Sequence, residues 1–189
     1  MITQGVRRIG QELDQTGYAL TSYKELEIPQ HELLAADLVA AVHNTDQFHD
    51  MSREGRTGML MFREDAPLEM GRQLIRPVAE VLFGGNPEAM AGLGMYAVNH
   101  YEVGDFFNPH QDHFDGTVMI MTPLGRRRFD VYEKEPEDDV FKHISESFVL
   151  GPGSIMLLNG YKNLGHAAVC LEGPSLSVVA DVPVPLRIN

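Results

Sequence analysis

His110 and Asp112 stand two residues apart in the run FFNPHQD, from Phe106 to Asp112. In an extended strand, side chains two apart face the same side, so this imidazole and this carboxylate can converge on one point. A later histidine, His166, follows Gly165 and opens another apolar run, HAAVC. Two imidazoles and one carboxylate on one face of a metal leave three positions open. With that arrangement non-haem Fe(II) takes a co-substrate and O2 side by side. H-x-D alone is common, and a strand-end ion pair between His110 and Asp112 would look the same. A second H-x-D, His113 and Asp115, overlaps the first in HQDHFD and obeys the same geometry. The remaining histidines, His31, His43, His49, His100 and His143, need no reading beyond surface or hydrogen-bonded residues.

Such ligands must be held by strands, and the second half of the chain supplies them. After Gly92, short apolar or alternating runs recur: MYAVNHYEV, FFNPHQD, TVMIMT, RRFDVYE, ESFVL, SIMLLN, HAAVCLE and SLSVVADV. The breaks between them are Gly104, Gly116, Pro123-Leu124-Gly125, Gly151-Pro152-Gly153, Gly160 and Gly173-Pro174. Closely spaced strands of this kind predict a barrel or sandwich, not a parallel sheet. Lys134–His143 reads as an acidic loop or short helix.

The first ninety residues read as helices with strands between them. A helix over 3–15 ends at Gly17, and GYALTSY (Gly17–Tyr23) reads as a strand. A second helix fits Gln30–His43, with Leu34, Leu38, Ala41 and Val42 on one face. TGMLMFRE (Thr57–Glu64) is strand-like. A third helix spans about Leu68–Phe83, with Leu74, Val78, Val81 and Leu82 inward and Gly84-Gly85 as its stop, although Pro77 lies inside it. The expectation is a mainly β chain with flanking helices packed outside a β-barrel, a single domain over 1–189. Residues 1–91 form its support and 92–183 the catalytic core. The barrel mouth is where a ligand would sit.

Charge narrows the partners. The chain carries 15 Lys and Arg against 27 Asp and Glu, a net charge of −12. Phosphate backbones are bound by clustered cations, so a nucleic-acid substrate is disfavoured despite Arg126-Arg127-Arg128. One cysteine, Cys170, excludes an intramolecular disulfide and a Cys-cluster metal site. No run approaches the ~20 apolar residues of a membrane span. The opening MITQGVRRIGQELDQTG lacks the apolar core of a secretion signal, so a cytoplasmic location is expected.

Residues 99–112, N-H-Y-E-V-G-D-F-F-N-P-H-Q-D, resemble the N-x-Y-x-x-G-x-x-x-x-x-H-x-D stretch of the Fe(II)/2-oxoglutarate-dependent dioxygenases, most nearly the prolyl 4-hydroxylase-like branch. GPGSIMLLNG followed by HAAV is similar to that family's strand and turn before its distal histidine. The resemblance covers about Leu93–Pro183. It implies a double-stranded β-helix, the jelly-roll or cupin-like barrel, with Fe(II) on His110, Asp112 and His166. It also places Asn99 and Tyr101 on the first core strand in contact with 2-oxoglutarate. Only the first H-x-D keeps the family's distance from Tyr101 and Gly104.

One family position differs. A basic residue usually follows the distal histidine by nine or ten positions, as R-x-S, and pairs with the far carboxylate of 2-oxoglutarate. Ser177 matches the serine of that motif, but Ser175 holds the basic position, and no basic residue lies between His166 and Arg187. The asparaginyl hydroxylase and Jumonji branches carry the basic residue on the fourth core strand. Here that strand is GRRRFDVY, Gly125–Tyr132, where alternation puts Arg127, Phe129 and Val131 on one side and Arg128, Asp130 and Tyr132 on the other. The Phe/Val side is the inner one, so Arg127 would point into the barrel, where a buried arginine needs an anion. Otherwise the three arginines form a solvated cluster, paired with Glu133 or Asp130.

The resemblance implies an enzyme that hydroxylates or desaturates a small molecule with O2 while 2-oxoglutarate becomes succinate and CO2. Asp112 leaves no ligand position vacant for chloride, so halogenation is disfavoured. Arg53, Arg56 and Arg63 are candidates for a substrate carboxylate or plain surface residues. The methionines at 59, 61, 95, 119, 121 and 156 read as core filling. Three alternatives stay open: an oxygenase that does not use 2-oxoglutarate, a peptidyl-prolyl hydroxylase, and a non-catalytic jelly-roll metal-binding protein. The oligomeric state is not written in the sequence.

Overall fold

The structure, a computed structural model, describes residues 4–29, 31–44, 48–50, 56–57, 60–62, 65–84, 86–112, 114–133, 143–162 and 164–186. His113, Arg53, Arg63, Met59, Gly85 and residues 134–142 lie outside the described residues, as do the side chains of Arg56, Met61 and Met95.

The elements run α1 (Gln4–Thr16), β1 (Tyr18–Ser22), α2 (His31–His43), β2 (Phe48–Asp50), β3 (Arg56–Thr57), β4 (Leu60–Phe62), α3 (Asp65–Phe83) and α4 (Pro87–Ala91). They continue with β5 (Gly94–Tyr101), β6 (Phe106–His110), β7 (Thr117–Tyr132), β8 (Ile144–Leu150), β9 (Ser154–Asn159) and β10 (Gly165–Val182). One sheet has the order β1-β9-β7-β10-β5-β4-β2. The far half of β7 and the near half of β10 leave it to pair with β8 on one side and with β6 and then β3 on the other. All these pairings are antiparallel, and the two sheets share β7 and β10 as a jelly roll does.

Two expected breaks are bends inside continuous strands. Pro123-Leu124-Gly125 lies within β7 and Gly173-Pro174 within β10. The two strands stay paired across the bend, with register shifts between Cys170 and Glu172 and again between Glu172 and Leu176. Gly125 adopts φ +74, and a Cβ there would stand 2.6 Å from the Pro174 carbonyl oxygen and 2.6 Å from the Ser175 Cα. Only glycine allows both the backbone angle and the close approach.

Alternation in β7 separates two cores. Met119 and Met121 face the helices, packing with Ile155, Leu157, Val178 and Ala180 against Ile9 and Leu13 of α1, Leu38 of α2 and Leu74 and Val78 of α3. Val118 and Ile120 face the barrel interior with Met156, Leu158, Phe129 and Val131. Each fully buried aliphatic side chain in these layers contributes about 1.5–3 kcal/mol. Met119, Met121 and Met156 are core residues, fully buried.

The helices follow the apolar spacing with two differences. The inward face of α3 is Leu74, Ile75, Val78, Ala79, Leu82 and Phe83, while Val81 is exposed. Three residues after Val78 the helix has turned by about 300°, so Val81 falls beside this stripe rather than on it. Pro77 stays inside the helix and costs one backbone hydrogen bond there. Helix α4 has no long apolar period. It forms because Asn86 caps it, its side chain accepting from the Glu88 and Ala89 amides, with Pro87 at the first position. Among the described residues no helix is long and apolar enough to cross a membrane.

Candidate metal centre and its pocket

The site is assembled by strand register. Residues directly opposite in an antiparallel pair share a face, so the pairings read as layers across the inner wall of β6, β10, β7 and β8. His166 pairs with both His110 and Val131, and Val131 pairs with Glu146. One layer deeper, Ala168 pairs with Phe107 and Phe129, and Phe129 with Phe148. Deeper again, Cys170 pairs with Arg127, and Arg127 with Leu150.

The first layer brings His110, Asp112 and His166 together, each offering one ligand atom, all within 4.8 Å of one another. Asp112 bridges the two rings, its Oδ1 3.6 Å from His110 Nε2 and its Oδ2 3.5 Å from His166 Nε2. Adjacent ligands on a metal with bonds of about 2.1 Å lie roughly 3 Å apart, so a small inward movement closes this set on an ion. The tautomers are set from outside. His110 Nδ1 lies 2.9 Å from the Asn108 carbonyl oxygen, and His166 Nδ1 lies 3.5 Å from that of Leu164. A carbonyl only accepts, so each Nδ1 carries the proton and each Nε2 lone pair faces Asp112. Ring stacking holds the imidazoles. Phe107 lies 3.7 Å from His110 at 26°, and Phe129 lies 5.3 Å from His166 at 16°.

Burial differs across the set. His166 is buried while His110 and Asp112 are half-buried, so one side of the cluster opens to solvent. Burial pushes the His166 imidazole down to about 4, helped by the nearby His110 and opposed by Asp112. Its neutral form, the one that ligates a metal, is therefore held across the physiological range. Two imidazoles, one carboxylate and an open side form a donor set that suits Fe(II). Among the described residues no other group of His, Cys, Asp and Glu converges in this way. Asp115 is exposed.

Below the cluster the pocket turns polar. Arg127 is fully buried and lies inside the barrel, with its Nη2 donating to Thr122 Oγ1 at 2.7 Å and to the Met121 carbonyl at 3.2 Å. Its Nε has no partner, and among the described residues no carboxylate pairs with it. Burial pushes its pKa down to about 10. Arg128 and Arg126 turn outward to Asp130 and Glu172. Asp130 keeps the outer side that alternation gives it but is covered there. It is buried on the outer face, where Ser147 Oγ donates to it at 2.6 Å and Arg128 Nε at 3.0 Å.

Asn99 and Tyr101 are buried on β5, directly opposite Ser177 and Ser175. Asn99 donates to Ser177 Oγ at 3.4 Å, and its own Oδ1 is left without a partner. Ser175, at the family's basic position, is fully buried and donates to the Leu124 carbonyl at 3.1 Å. Thr122 was not legible as a site residue, because Pro123-Leu124-Gly125 reads as a chain break between it and Arg127. The bend in β7 instead turns both side chains into the same interior.

No family model matches the chain, and no curated protein matches it by sequence. Solved structures do. A prolyl hydroxylase from Trichoplax adhaerens, in complex with a hypoxia inducible factor oxygen degradation domain peptide fragment, is 11% identical with a TM-score of 0.62. That match covers 95% of this chain and 90% of the other. A Pseudomonas putida prolyl-4-hydroxylase is 16% identical with a TM-score of 0.53, covering 95% and 98%. The Escherichia coli ribosomal oxygenase YcfD, in complex with cobalt and 2-oxoglutarate, is 17% identical with a TM-score of 0.55, covering 95% and 51%. This chain thus spans about half the length of YcfD in that match and 32% in another. At these identities the likeness is one of fold: the chain has the jelly-roll fold of the Fe(II)/2-oxoglutarate oxygenases, and a His-Asp-His cluster of the kind that binds Fe(II) lies in its barrel mouth.

Proposed function

We propose that this chain is an Fe(II)/2-oxoglutarate-dependent dioxygenase that hydroxylates or desaturates a C–H bond of a small molecule while 2-oxoglutarate becomes succinate and CO2. The observation that carries the reading is the buried Arg127, which has no carboxylate partner among the described residues, in the same barrel as the His110, Asp112 and His166 cluster. A buried cation without a carboxylate is costly, and a bound dicarboxylate offsets that cost.

The spacing suits the co-substrate. Arg127 and its partner Cys170 lie four residues along their strands from Val131 and His166, about 13 Å of strand. The guanidinium is turned to Thr122 and Met121, and the strand span between its layer and the cluster is of the length that a five-carbon dicarboxylate would bridge. Bound iron with 2-oxoglutarate supplies the activation of O2. The chain itself supplies three imidazole or carboxylate ligands, a guanidinium oriented by the Thr122 hydroxyl, and polar contacts from Asn99, Tyr101 and Ser177. Apolar walls of Phe107, Phe129 and Val131 line the closed side of the cluster.

A small molecule is favoured as substrate because the short strand connections leave little surface for gripping a protein. A peptide is the second reading, supported by the likeness to a hydroxylase solved with a peptide fragment. Anaerobic Fe(II) loading followed by 2-oxoglutarate titration tests the class through the visible metal-to-ligand charge-transfer band. The band is expected in the wild type and requires at least about tenfold more 2-oxoglutarate in Arg127→Ala, the scale of a lost charge-assisted pair. Bound iron without a band sinks the reading and turns attention to substrates that chelate the metal themselves. Substrate-dependent succinate formation separates an enzyme from a jelly-roll metal-binding protein.

A further inference from the structure

The cross-strand row that runs from His110 through His166 and Val131 ends at Glu146 on β8, whose side chain is exposed at the rim. Strands in a sheet are about 4.8 Å apart, so Glu146 stands two strands, about 10 Å, from His166 at the barrel mouth. Its carboxylate is not loose. The Tyr18 hydroxyl donates to Glu146 Oε2 across the mouth from β1, and the Tyr18 ring meets Phe148 edge-on at 5.5 Å. A chain of rings thus lines the wall from the metal ligand outward: Phe129 on His166, Phe148 opposite Phe129, then Tyr18. Among the described residues no cation pairs with Glu146.

We propose that Glu146, oriented by Tyr18, is the substrate-selecting residue of this site and takes an ammonium group of the substrate; this rests on the oxygenase reading above. A fixed carboxylate flanked by aromatic rings offers a cation both an ion pair and ring faces. The two ends of the pocket then have opposite sign. Arg127 at the floor takes the dicarboxylate, and Glu146 at the mouth takes a cation, so neither ligand competes well for the other's place. The net charge of −12 favours the approach of cationic over anionic substrates to the protein. The amine comes either from a free small molecule or from a lysyl side chain.

Glu146→Gln separates selection from structure, because its amide oxygen still accepts from Tyr18 while the charge is gone. The protein is loaded with Mn(II) and 2-oxoglutarate, and the paramagnetic relaxation of probe protons is read by NMR. The probes are n-butylammonium and n-butanol, and a blocked lysine tripeptide and its acetyl-lysine counterpart. In the wild type the ammonium probes are expected to bind up to about fivefold better than their neutral mates, the upper scale of an exposed ion pair. Glu146→Gln should remove that preference, and Glu88→Gln, which deletes a charge elsewhere, should keep it. The stronger of the two ammonium probes identifies the source of the amine. No preference in the wild type, or an equal preference in Glu146→Gln, overturns the proposal. The protons of 2-oxoglutarate report on the underlying reading separately. If they are relaxed and the amine is not, this proposal falls alone; if they are not relaxed, the oxygenase reading falls and this proposal with it.

Discussion

Asp112 sits between two imidazoles whose outer nitrogens are tied to backbone carbonyls, so the lone pairs needed for a metal are oriented before any ion arrives. Metal should therefore stabilise the fold. At a free Co(II) concentration of 100 Kd the gain is about 2.7 kcal/mol. His110→Ala should keep the folded state and lose that gain in a melting titration. An undiminished Co(II)-induced rise in Tm would remove His110 from the ligand set. His166 makes the metal-free protein sensitive to acid. Burial lowers its folded pKa to about 4 from an ordinary value near 6.5. Between those values the unfolded chain takes up a proton that the folded chain refuses, so stability falls as pH drops through that window. The loss is on the order of 3 kcal/mol by pH 4. Urea midpoints of the metal-free wild type at pH 7 and pH 5 should differ more than those of His166→Gln, and equal differences would refute the assignment.

At the scale of elements, the bend shared by β7 and β10 is what makes one pocket from two sheets. Gly125 is the residue that permits it, and Gly125→Ala meets both a positive φ and the backbone of Pro174 and Ser175. The expected cost is about 2 kcal/mol or more. It should come with weaker 2-oxoglutarate binding, since Thr122 and Arg127 lie on opposite sides of the bend. A variant with wild-type Tm and affinity would show that the bend does not depend on glycine. The layer between sheet and helices is the second mechanical element. Leu157 is fully buried there, and Leu157→Ala should cost about 2–5 kcal/mol in chemical denaturation without moving the metal ligands.

For the whole molecule, a net charge of −12 means self-repulsion at low ionic strength. Raising NaCl from about 10 to about 150 mM shortens the screening length from roughly 30 to 8 Å and should raise Tm. A fall in Tm would mean that attractive pairs such as Arg8–Glu12 and Arg8–Glu25 outweigh the repulsion. The same charge agrees with the arrangement of the three consecutive arginines. Arg126 is matched by Glu172 on the surface, Arg128 by the buried Asp130, and Arg127 is inside, so together they make no basic face for a phosphate backbone.

The periodicities of the chain determined much by themselves. Period-two runs after Gly92 carry the strands, and the spacing of Leu74, Val78 and Leu82 carries α3, because side-chain direction along one element depends only on local geometry. Alternation in GRRRFDVY likewise turns Arg127 to the side of Phe129 and Val131, whereas Asp112 lies beyond the end of β6 and reaches His110 from outside the strand. Tertiary structure alone decided the rest. Whether Pro123-Leu124-Gly125 ends a strand or bends it depends on β10 bending with it, which no local signal carries. Asp130 is buried only because Arg128 and Ser147 cover it. Tyr18 and Glu146 stand 128 residues apart in the chain and meet only because β1 and β8, the end strands of the two sheets on their β7 side, come together. Contacts made across a sheet depend on register between distant strands, and register is a property of the packed whole.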